Sequence, residues 1–248
     1  MPEINEITAF LAGCSPLAPL GIAAGVTLIF AILGRFVRGV SVSGAIAGWI
    51  VSFAIFAGAG PGAFAALILV FGITWLSTRV GYRHKLKLGT AEKKDGRTAL
   101  QVLANLAVAG VCATAYALLG RNAAFLAALA AALSEAAADT VSSELGQATS
   151  DHARLITNWQ KVPAGTDGGI TWLGTLAGVA TAILISLACF VAGVIPAHWI
   201  VIPAAAGTAG MLADSYLGAL LERRKLLNND GVNLVSTAIA AVLGFFLA

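Results

Sequence analysis

The feature that most constrains the fold of this chain is a series of apolar runs, each about as long as a membrane-spanning helix. A helix needs about 17–25 mostly apolar residues to cross a bilayer, and it satisfies its own backbone hydrogen bonds there. The sequence therefore predicts an all-α, polytopic transmembrane bundle of about eight spans, forming a single integral membrane domain over residues 1–248. The predicted spans are Leu17–Leu33, Val42–Ala57, Pro61–Thr78, Thr98–Leu119, Asn122–Leu145, Trp172–Val194, His198–Leu221 and Val232–Ala248.

The low charge content excludes an ordinary soluble domain. Only 11% of the residues are charged and 58% are hydrophobic, whereas about a quarter of the residues in a soluble domain are charged. The chain cannot cover a water-facing surface, so lipid is the expected solvent. The formal net charge of +3 is explained by basic loops, which are typical of membrane proteins, and no nucleic-acid partner is predicted.

The distribution of Lys and Arg predicts the orientation. Of the 15 Lys and Arg residues, all except Arg121 fall in alternate loops between the predicted spans. Because basic loops stay on the cytoplasmic side, we expect both termini to lie outside. The predicted cytoplasmic loops are at about residues 79–97, 147–171 and 222–231.

Carboxylates within the apolar helices are the strongest functional signal. Glu135 and Asp139 lie four residues apart on one helix face, and Asp214 lies in another span. A charge at a helix centre costs about 2.5–3.5 kcal/mol, so such residues usually face the bundle interior and have a function. At about 1.5 Å per residue, Asp139, Asp214 and Asn105 are predicted to lie about 10–12 Å below the cytoplasmic helix ends. Glu144 follows Asp139 by five residues and points away from its helix face, so it joins the site only if the helix loosens near Gly146.

A divalent cation would compensate for the buried negative charge. Mg²⁺ typically binds one or two carboxylates together with substrate phosphates. Asp139 and Asp214, assisted by Glu135 or Glu144, are therefore the predicted metal ligands. Asn105 continues a polar stripe that starts at Arg97; a stripe of this kind can also serve only as hydrogen bonding between helices.

The loop before the sixth predicted span could bind phosphate. It contains Gly165, Thr166, Asp167, Gly168 and Gly169 in succession. Glycines let backbone N–H groups converge on an anion, although the same composition is also typical of an ordinary turn. Two nearby cations, Arg154 and Lys161, are expected to assist in phosphate binding. Two asparagines around the start of the last span, Asn229 and Asn233, are also predicted to bind the nucleotide or its phosphates.

Five stretches resemble, in order, motifs of the membrane family labelled domain of unknown function 92. They are GRTALQVLAN (Gly96–Asn105), AADTVSSELG (Ala137–Gly146), RLITNWQKVPAGTDGGIT (Arg154–Thr171), GMLADSYLGALLE (Gly210–Glu222) and NNDGVN (Asn228–Asn233). The family includes the plant phytyl-phosphate kinase of tocopherol synthesis. The resemblance covers essentially Val42 to the C-terminus. It implies phosphorylation of a prenyl monophosphate to the diphosphate, with CTP as the expected nucleoside triphosphate donor.

The resemblance also implies roles for individual residues. The family's polar motifs correspond here to Asn105, Asp139, Glu144, Thr166, Asp167, Asp214, Asn229 and Asn233. Of these, Asp139, Asp214, Glu144 and Asn105 are the predicted catalytic residues. The expected setting is a bacterial inner membrane, or a thylakoid-type membrane, with the active site facing the cytoplasm.

The combined prediction is a Mg²⁺-dependent membrane kinase whose substrates are a lipid monophosphate and a nucleotide; a homo-oligomer is left open. The alternative is an ion-coupled transporter that uses the same carboxylates. Transporter sites lie near the membrane midplane on broken helices. The polar residues here are biased towards one end of the spans, which favours the kinase.

Overall fold

The computed structural model describes residues 18–92 and 94–248. The first predicted residue of span one, Leu17, lies outside the described residues, as do the N-terminus and Lys93. The helices are α1 (Ala18–Phe36), α2 (Val42–Arg79), α3 (Tyr82–Leu88), α4 (Ala99–Leu118), α5 (Ala124–Thr149), α6 (Trp172–Val191), α7 (Val201–Leu217) and α8 (Asn229–Leu247). A 3₁₀ turn, Ala197–Trp199, precedes α7, and a π-helical turn, Gly218–Glu222, continues it.

Helix α2 is interrupted at Gly60. The backbone there has φ +88° and ψ 179°, a conformation that is open essentially to glycine alone. The next residue is Pro61, whose fixed φ suits the first position of a new helix. The break divides α2 into two arms, residues 42–59 and 61–79.

The two arms run antiparallel. The rings of Phe56 and Phe64 lie 5.2 Å apart, whereas eight residues of straight helix would separate them by about 12 Å. At the other end, Arg79 donates a hydrogen bond of 2.9 Å to the carbonyl of Val37, just before α2 begins. Seven of the described helices are long and apolar enough to cross a membrane. Because α2 contributes two arms, these seven helices provide eight apolar segments. The two arms correspond to the predicted second and third spans. The polytopic helical bundle is confirmed.

The basic loops meet at one end of this bundle. Val40 pairs with Arg97 in an isolated β-bridge, which joins the loop before α2 to the loop before α4. Gly81 lies against Ala148 at the end of α5; a Cβ on this glycine would be 2.5 Å from that of Ala148. We call this end, formed by the loops at 37–41, 80–98, 150–171 and 223–228, the basic end. Its exposure to the cytoplasm stays a prediction from charge.

Helix α5 is the centre of the bundle. It packs against both arms of α2 and against α4, α6, α7 and α8. Nine of the fifteen residues at 124–138 are alanines, and small side chains let neighbouring helices approach closely. Every residue from Ala127 to Ala138 is buried. The helix that carries Glu135 and Asp139 is thus surrounded on all sides.

The loop between α5 and α6 contains a small antiparallel sheet. Its strands are β1 (His152–Leu155), β2 (Lys161–Pro163) and β3 (Gly169–Ile170), in the order β2-β1-β3. The sequence prediction included no strand here. The sheet is a local addition to a helical fold, and it determines which loop side chains face the bundle.

Candidate functional site

Two of the predicted acids share one hydroxyl group deep in the bundle. The Ser236 hydroxyl of α8 lies 2.7 Å from Glu135 Oε1 and 3.1 Å from Asp214 Oδ2. Glu135 is only 2% exposed. One hydroxyl proton cannot be donated to both carboxylates at once. Two such carboxylates are stable side by side only when a proton or a cation neutralises part of their charge.

Glycines on α7 allow this close approach. A Cβ on Gly210 would lie 2.6 Å from Glu135 Cγ, and one on Gly207 would lie 2.7 Å from Ser134 Cβ. Gly207, Gly210 and Asp214 follow the i, i+3, i+7 spacing that places residues on one helix face. The α7 face with the aspartate is therefore the face that lies against α5.

A polar cavity opens above these acids at the basic end. Its volume is about 150 Å³, and it lies between the ends of α5 and α7, the sheet loop and the start of α8. Four carboxylates line it, and no Lys or Arg does among the described residues. The lining includes Asp139, Ser142, Ser143, Gly165, Thr166, Asp167, Gly168, Gly169, Asp214, Ser215, Gly218, Glu222 and Asn229. The structure thus brings together Asp139, Asp214, Asn229 and the whole glycine-containing segment.

Glu222 is a cavity residue that the sequence reasoning missed. Asp214, Gly218 and Glu222 are spaced by four residues, a helical spacing that could have identified their common face. The π-helical turn Gly218–Glu222 carries this face to the rim of the polar cavity. Such turns occur frequently at functional sites.

Gly168 positions the loop against α7. Its φ is +75°, and a Cβ there would lie 2.4 Å from the Cβ and 2.5 Å from the backbone nitrogen of Ala219. The Gly168 carbonyl accepts a 3.0 Å hydrogen bond from the Ile156 N–H. The glycine is required by this close contact with the π-helical turn, which closes one wall of the polar cavity.

Arg154 and Lys161 lie outside the polar cavity, contrary to the prediction. They are register partners on β1 and β2, and both are exposed. Successive side chains of a strand point to opposite faces of the sheet. Because Ala153 lines the cavity, Arg154 and its partner lie on the outer face. Their predicted contact with donor phosphates stays a prediction that the lining of the polar cavity does not support.

Glu144 is also not part of the polar cavity. It forms an ion pair with Lys85 of α3, a residue whose side chain is 0% exposed. The Lys85 ammonium also donates to the carbonyls of Thr78, at 2.9 Å, and Ser77, at 3.3 Å. This ion pair joins the end of α2 to the end of α5 and gives Glu144 a structural contact, and its predicted catalytic role stays a prediction. Nothing in the basic stretch around Lys85 distinguished it from its neighbour Lys87.

Asn105 and Asn233 lie away from the polar cavity as well. The Asn105 side chain donates a 2.8 Å hydrogen bond to the Gln101 carbonyl of its own helix. The Asn233 carbonyl accepts hydrogen bonds from Ser236 and Thr237. The hydrogen bonds described for Asn105 and Asn233 are thus made with the helices of the bundle.

A second cavity, which we call the amphipathic cavity, lies between α1, both arms of α2 and α4. Its volume is about 330 Å³. Apolar residues including Phe30, Leu67, Phe71 and Leu106 form its walls. The charged residues that line it are Arg38, Arg79, Glu92, Lys94 and Arg97, and Asn105 also faces it. The sequence reasoning did not predict this cavity, because its residues come from four distant segments.

Arg97 stands between the two cavities. It lines the amphipathic cavity, and its Nη2 donates a 3.3 Å hydrogen bond to Thr140 Oγ1. Thr140 directly follows Asp139, and the Arg97 guanidinium is close enough to interact electrostatically with that carboxylate. The backbone of Arg97 is held by hydrogen bonds with Gly39 and Ser41. Arg97 thus lines the amphipathic cavity, while its positive charge acts on Asp139, which lines the polar cavity.

The carboxylates provide oxygen ligands suited to a hard cation. Within the described residues, no three His, Cys, Asp or Glu side chains form a group that could hold a metal ion. Glu135 is engaged with Ser236, whereas Asp139 and Asp214 line the polar cavity. A Mg²⁺ site with two carboxylates and phosphate oxygens matches this arrangement better than the predicted site with three.

Comparison with known proteins identifies the family. The family described as "Integral membrane protein DUF92" matches residues 25–241, so the chain belongs to it. No solved structure is significantly similar. An uncharacterized membrane protein of Methanocaldococcus jannaschii is 39% identical over 190 residues, which cover 73% of this chain and 74% of that protein. "Protein VTE6, chloroplastic" of Arabidopsis thaliana is 30% identical over 231 residues, covering 89% and 69%. An uncharacterized membrane protein of Synechocystis is 30% identical over 199 residues, covering 79% and 77%.

Proposed function

We propose that this member of the DUF92 membrane family is a prenyl-phosphate kinase. It transfers a phosphoryl group from a nucleoside triphosphate, with CTP as the expected donor, to a prenyl monophosphate and so forms the diphosphate. The observation that carries this proposal is the polar cavity, in which Asp139 and Asp214 face the segment Gly165–Gly169 at the basic end. The motifs that resemble the family with the plant phytyl-phosphate kinase support the same reaction class, and the 30% identity to the plant protein VTE6 is consistent with it.

The charge of the polar cavity indicates how a nucleotide would bind. A triphosphate is a polyanion, and four carboxylates line the cavity. The two repel each other unless cations lie between them. Asp139 and Asp214 would hold Mg²⁺, which, when bound, neutralises the charge that develops on the transferred phosphoryl group. The N–H groups of Thr166 and Gly169 donate to carbonyls of the loop itself, so the other backbone N–H groups of Gly165–Gly169 would bind the donor phosphates.

The reaction needs no strong base from the protein. An acceptor monophosphate already carries ionised oxygens at neutral pH, and one of them attacks the terminal phosphorus of the donor. The new P–O bond forms as the bond to the leaving diphosphate oxygen breaks, and the nucleoside diphosphate departs with that electron pair. The protein contributes position and charge, which are the main terms in phosphoryl transfer. Arg97, beside Asp139, is the cation suited to hold the acceptor phosphate.

The alternative, an ion-coupled transporter, fits the structure less well. Transporter sites typically lie at the midplane between broken helices. Here α5, the helix with two of the acids, is continuous from Ala124 to Thr149. The polar cavity lies at the basic end, where a cytoplasmic nucleotide would arrive. We propose a bacterial inner membrane as the location, consistent with the prokaryotic relatives.

The test is turnover by the purified protein in detergent. Phytyl or geranylgeranyl monophosphate, Mg²⁺ and a labelled nucleoside triphosphate should yield the prenyl diphosphate, whereas the free alcohol should react poorly. Asp139→Asn and Asp214→Asn should each reduce turnover by at least about 100-fold, because each removes a metal-binding charge. Both variants should still purify as folded protein. Asp151→Asn is the control, since this acid is exposed at the same end and does not line the cavity.

Two results would contradict the proposal. One is the absence of diphosphate from a panel of prenyl monophosphates and all four nucleotides, with solute transport in proteoliposomes instead. The other is near-normal turnover with unchanged Mg²⁺ dependence in either aspartate variant.

A further inference from the structure

We propose that the amphipathic cavity binds the acceptor as a single-chain lipid with a phosphate monoester headgroup. This inference rests on the proposed function, because it assigns the second substrate of the same reaction. The apolar walls would take the first part of the chain, and the cations at the basic end would take the phosphate.

The shape of the amphipathic cavity suits one chain. At about 330 Å³, it is near the lower limit of ligand pockets, which hold about 300–1,000 Å³. Glycines at positions 34, 44 and 48 line one side, and a Cβ on Gly48 would meet no atom within 4 Å. The space beside Gly48 therefore exists because a side chain is missing there, whereas Gly44 lets the Arg97 carbonyl approach its helix. A lipid with two chains would need more room than this.

One wall of the amphipathic cavity is a helix with an apolar outer face. Helix α1, which forms one wall, packs mainly against α2. The outer face of α1 is apolar and exposed, with Ile29 60% and Ile32 58% accessible. Exposed apolar faces on membrane helices contact lipid. In this proposal, the part of the chain that extends beyond the cavity lies along α1 in the bilayer.

The cations are arranged at the basic end of this cavity. The Arg79 guanidinium lies 3.7 Å from the centre of the Trp75 ring and donates to the Val37 carbonyl, so its position is fixed before any ligand binds. Arg38, Lys94 and Arg97 line the same end, and Glu92 is the one acid among the described lining residues. Arginine binds phosphate oxygens through paired N–H groups. An excess of cations matches a phosphate monoester and would not favour an uncharged alcohol.

Arg97 gives the two cavities a common boundary. A phosphate held by Arg97 within the amphipathic cavity would contact the same guanidinium that donates to Thr140, the residue after Asp139. The donor would enter the polar cavity from water, and the acceptor would enter from the membrane. This separation explains how a soluble nucleotide and a lipid reach one point without crossing each other's path.

The binding experiment uses the full chain in nanodiscs without nucleotide. A photoreactive analogue of geranylgeranyl monophosphate should label peptides of α1, α2 and α4. Gly48→Leu fills the cavity and should weaken binding of geranylgeranyl monophosphate by at least tenfold. Gly72→Leu is the matched control, because Gly72 lies on the other arm of α2, has equally open surroundings and does not line the cavity.

The headgroup is tested with charge variants. Arg97→Gln should weaken monophosphate binding by at least tenfold and leave binding of the prenyl alcohol unchanged. Arg35→Gln is the control, since Arg35 pairs with Asp95 at 3.0 Å and does not line the cavity. Lysophosphatidic acid, a monoester with one acyl chain, distinguishes the chain from the headgroup. Binding equal to that of the prenyl compound would show that the phosphate and a single chain suffice.

The outcomes separate this inference from the proposed function. If diphosphate forms but Gly48→Leu and Gly72→Leu have the same KM for the lipid, or the label maps to other helices, the site is wrong and the function stands. If the label maps to the amphipathic cavity but no nucleotide supports turnover, the site stands and the kinase is wrong. If a variant fails to fold, photolabelling of the unsubstituted chain still shows whether the lipid binds in the amphipathic cavity.

Discussion

The ion pair between Lys85 and Glu144 provides the most informative single perturbation. Lys85 is 0% exposed, and the Glu144 side chain is 15% exposed. Replacing Lys85 with Met keeps the apolar length of the side chain and removes the charge. Glu144 then has no cation in this contact, and the carbonyls of Ser77 and Thr78 lose a donor.

The expected cost follows from the burial of the pair. Removing one partner of a buried ion pair destabilises a protein by about 3–5 kcal/mol. Because Glu144 keeps some contact with solvent, Lys85→Met should lower the free energy of unfolding by about 3 kcal/mol, the lower end of that range. Glu144→Gln should cost only about 1–2 kcal/mol, since the ammonium keeps its two carbonyl acceptors.

The double variant tests the coupling directly. Lys85→Met with Glu144→Gln removes both charges, so it should cost about 1–2 kcal/mol and be more stable than Lys85→Met alone. Unfolding by SDS titration in mixed micelles measures these free energies. Lys87→Met is the control, because Lys87 lies on the same short helix and is exposed; it should change stability by less than about 0.5 kcal/mol.

The same variants distinguish a structural from a catalytic Glu144. A structural role predicts that turnover of Glu144→Gln follows its stability and that activity recovers under conditions that restore folding. Complete loss of turnover in Glu144→Gln, with unchanged unfolding and no coupling to Lys85, would refute the structural assignment and restore the prediction from sequence.

Three further predictions concern the loops. Cysteine introduced at Gln160 should be labelled only from the cytoplasm and cysteine at Arg121 only from outside, and external labelling of position 160 in intact cells would reverse the orientation. Gly168→Ala should reduce turnover at least tenfold through its clash with Ala219, whereas Gly193→Ala, which has a similar φ of +73° in open space, should not; equal effects would show that backbone strain alone matters. The double variant Arg154→Gln and Lys161→Gln should keep normal turnover, and a tenfold rise in the nucleotide KM would return these cations to the donor site.

Hydropathy along the chain predicts both the lipid environment and the order of the spans. Hydropathy is a local property, so each apolar run predicted its own span, including the two arms of α2 on either side of Gly60. The cost of burying charge is also local. It was enough to identify Asp139 and Asp214 as residues of an interior site, and the structure places both in one cavity.

The tertiary structure decided which polar groups meet. Strand alternation turned Arg154 and Lys161 outward, and a helix from a distant loop paired Lys85 with Glu144. Neither result is encoded in spacing along one segment, because each depends on how two elements pack. The amphipathic cavity and the position of Arg97 at its wall also depend on how separate elements pack. They exist only where α1, the α2 hairpin and α4 come together, since empty space between helices is a property of packing and not of any one run of residues.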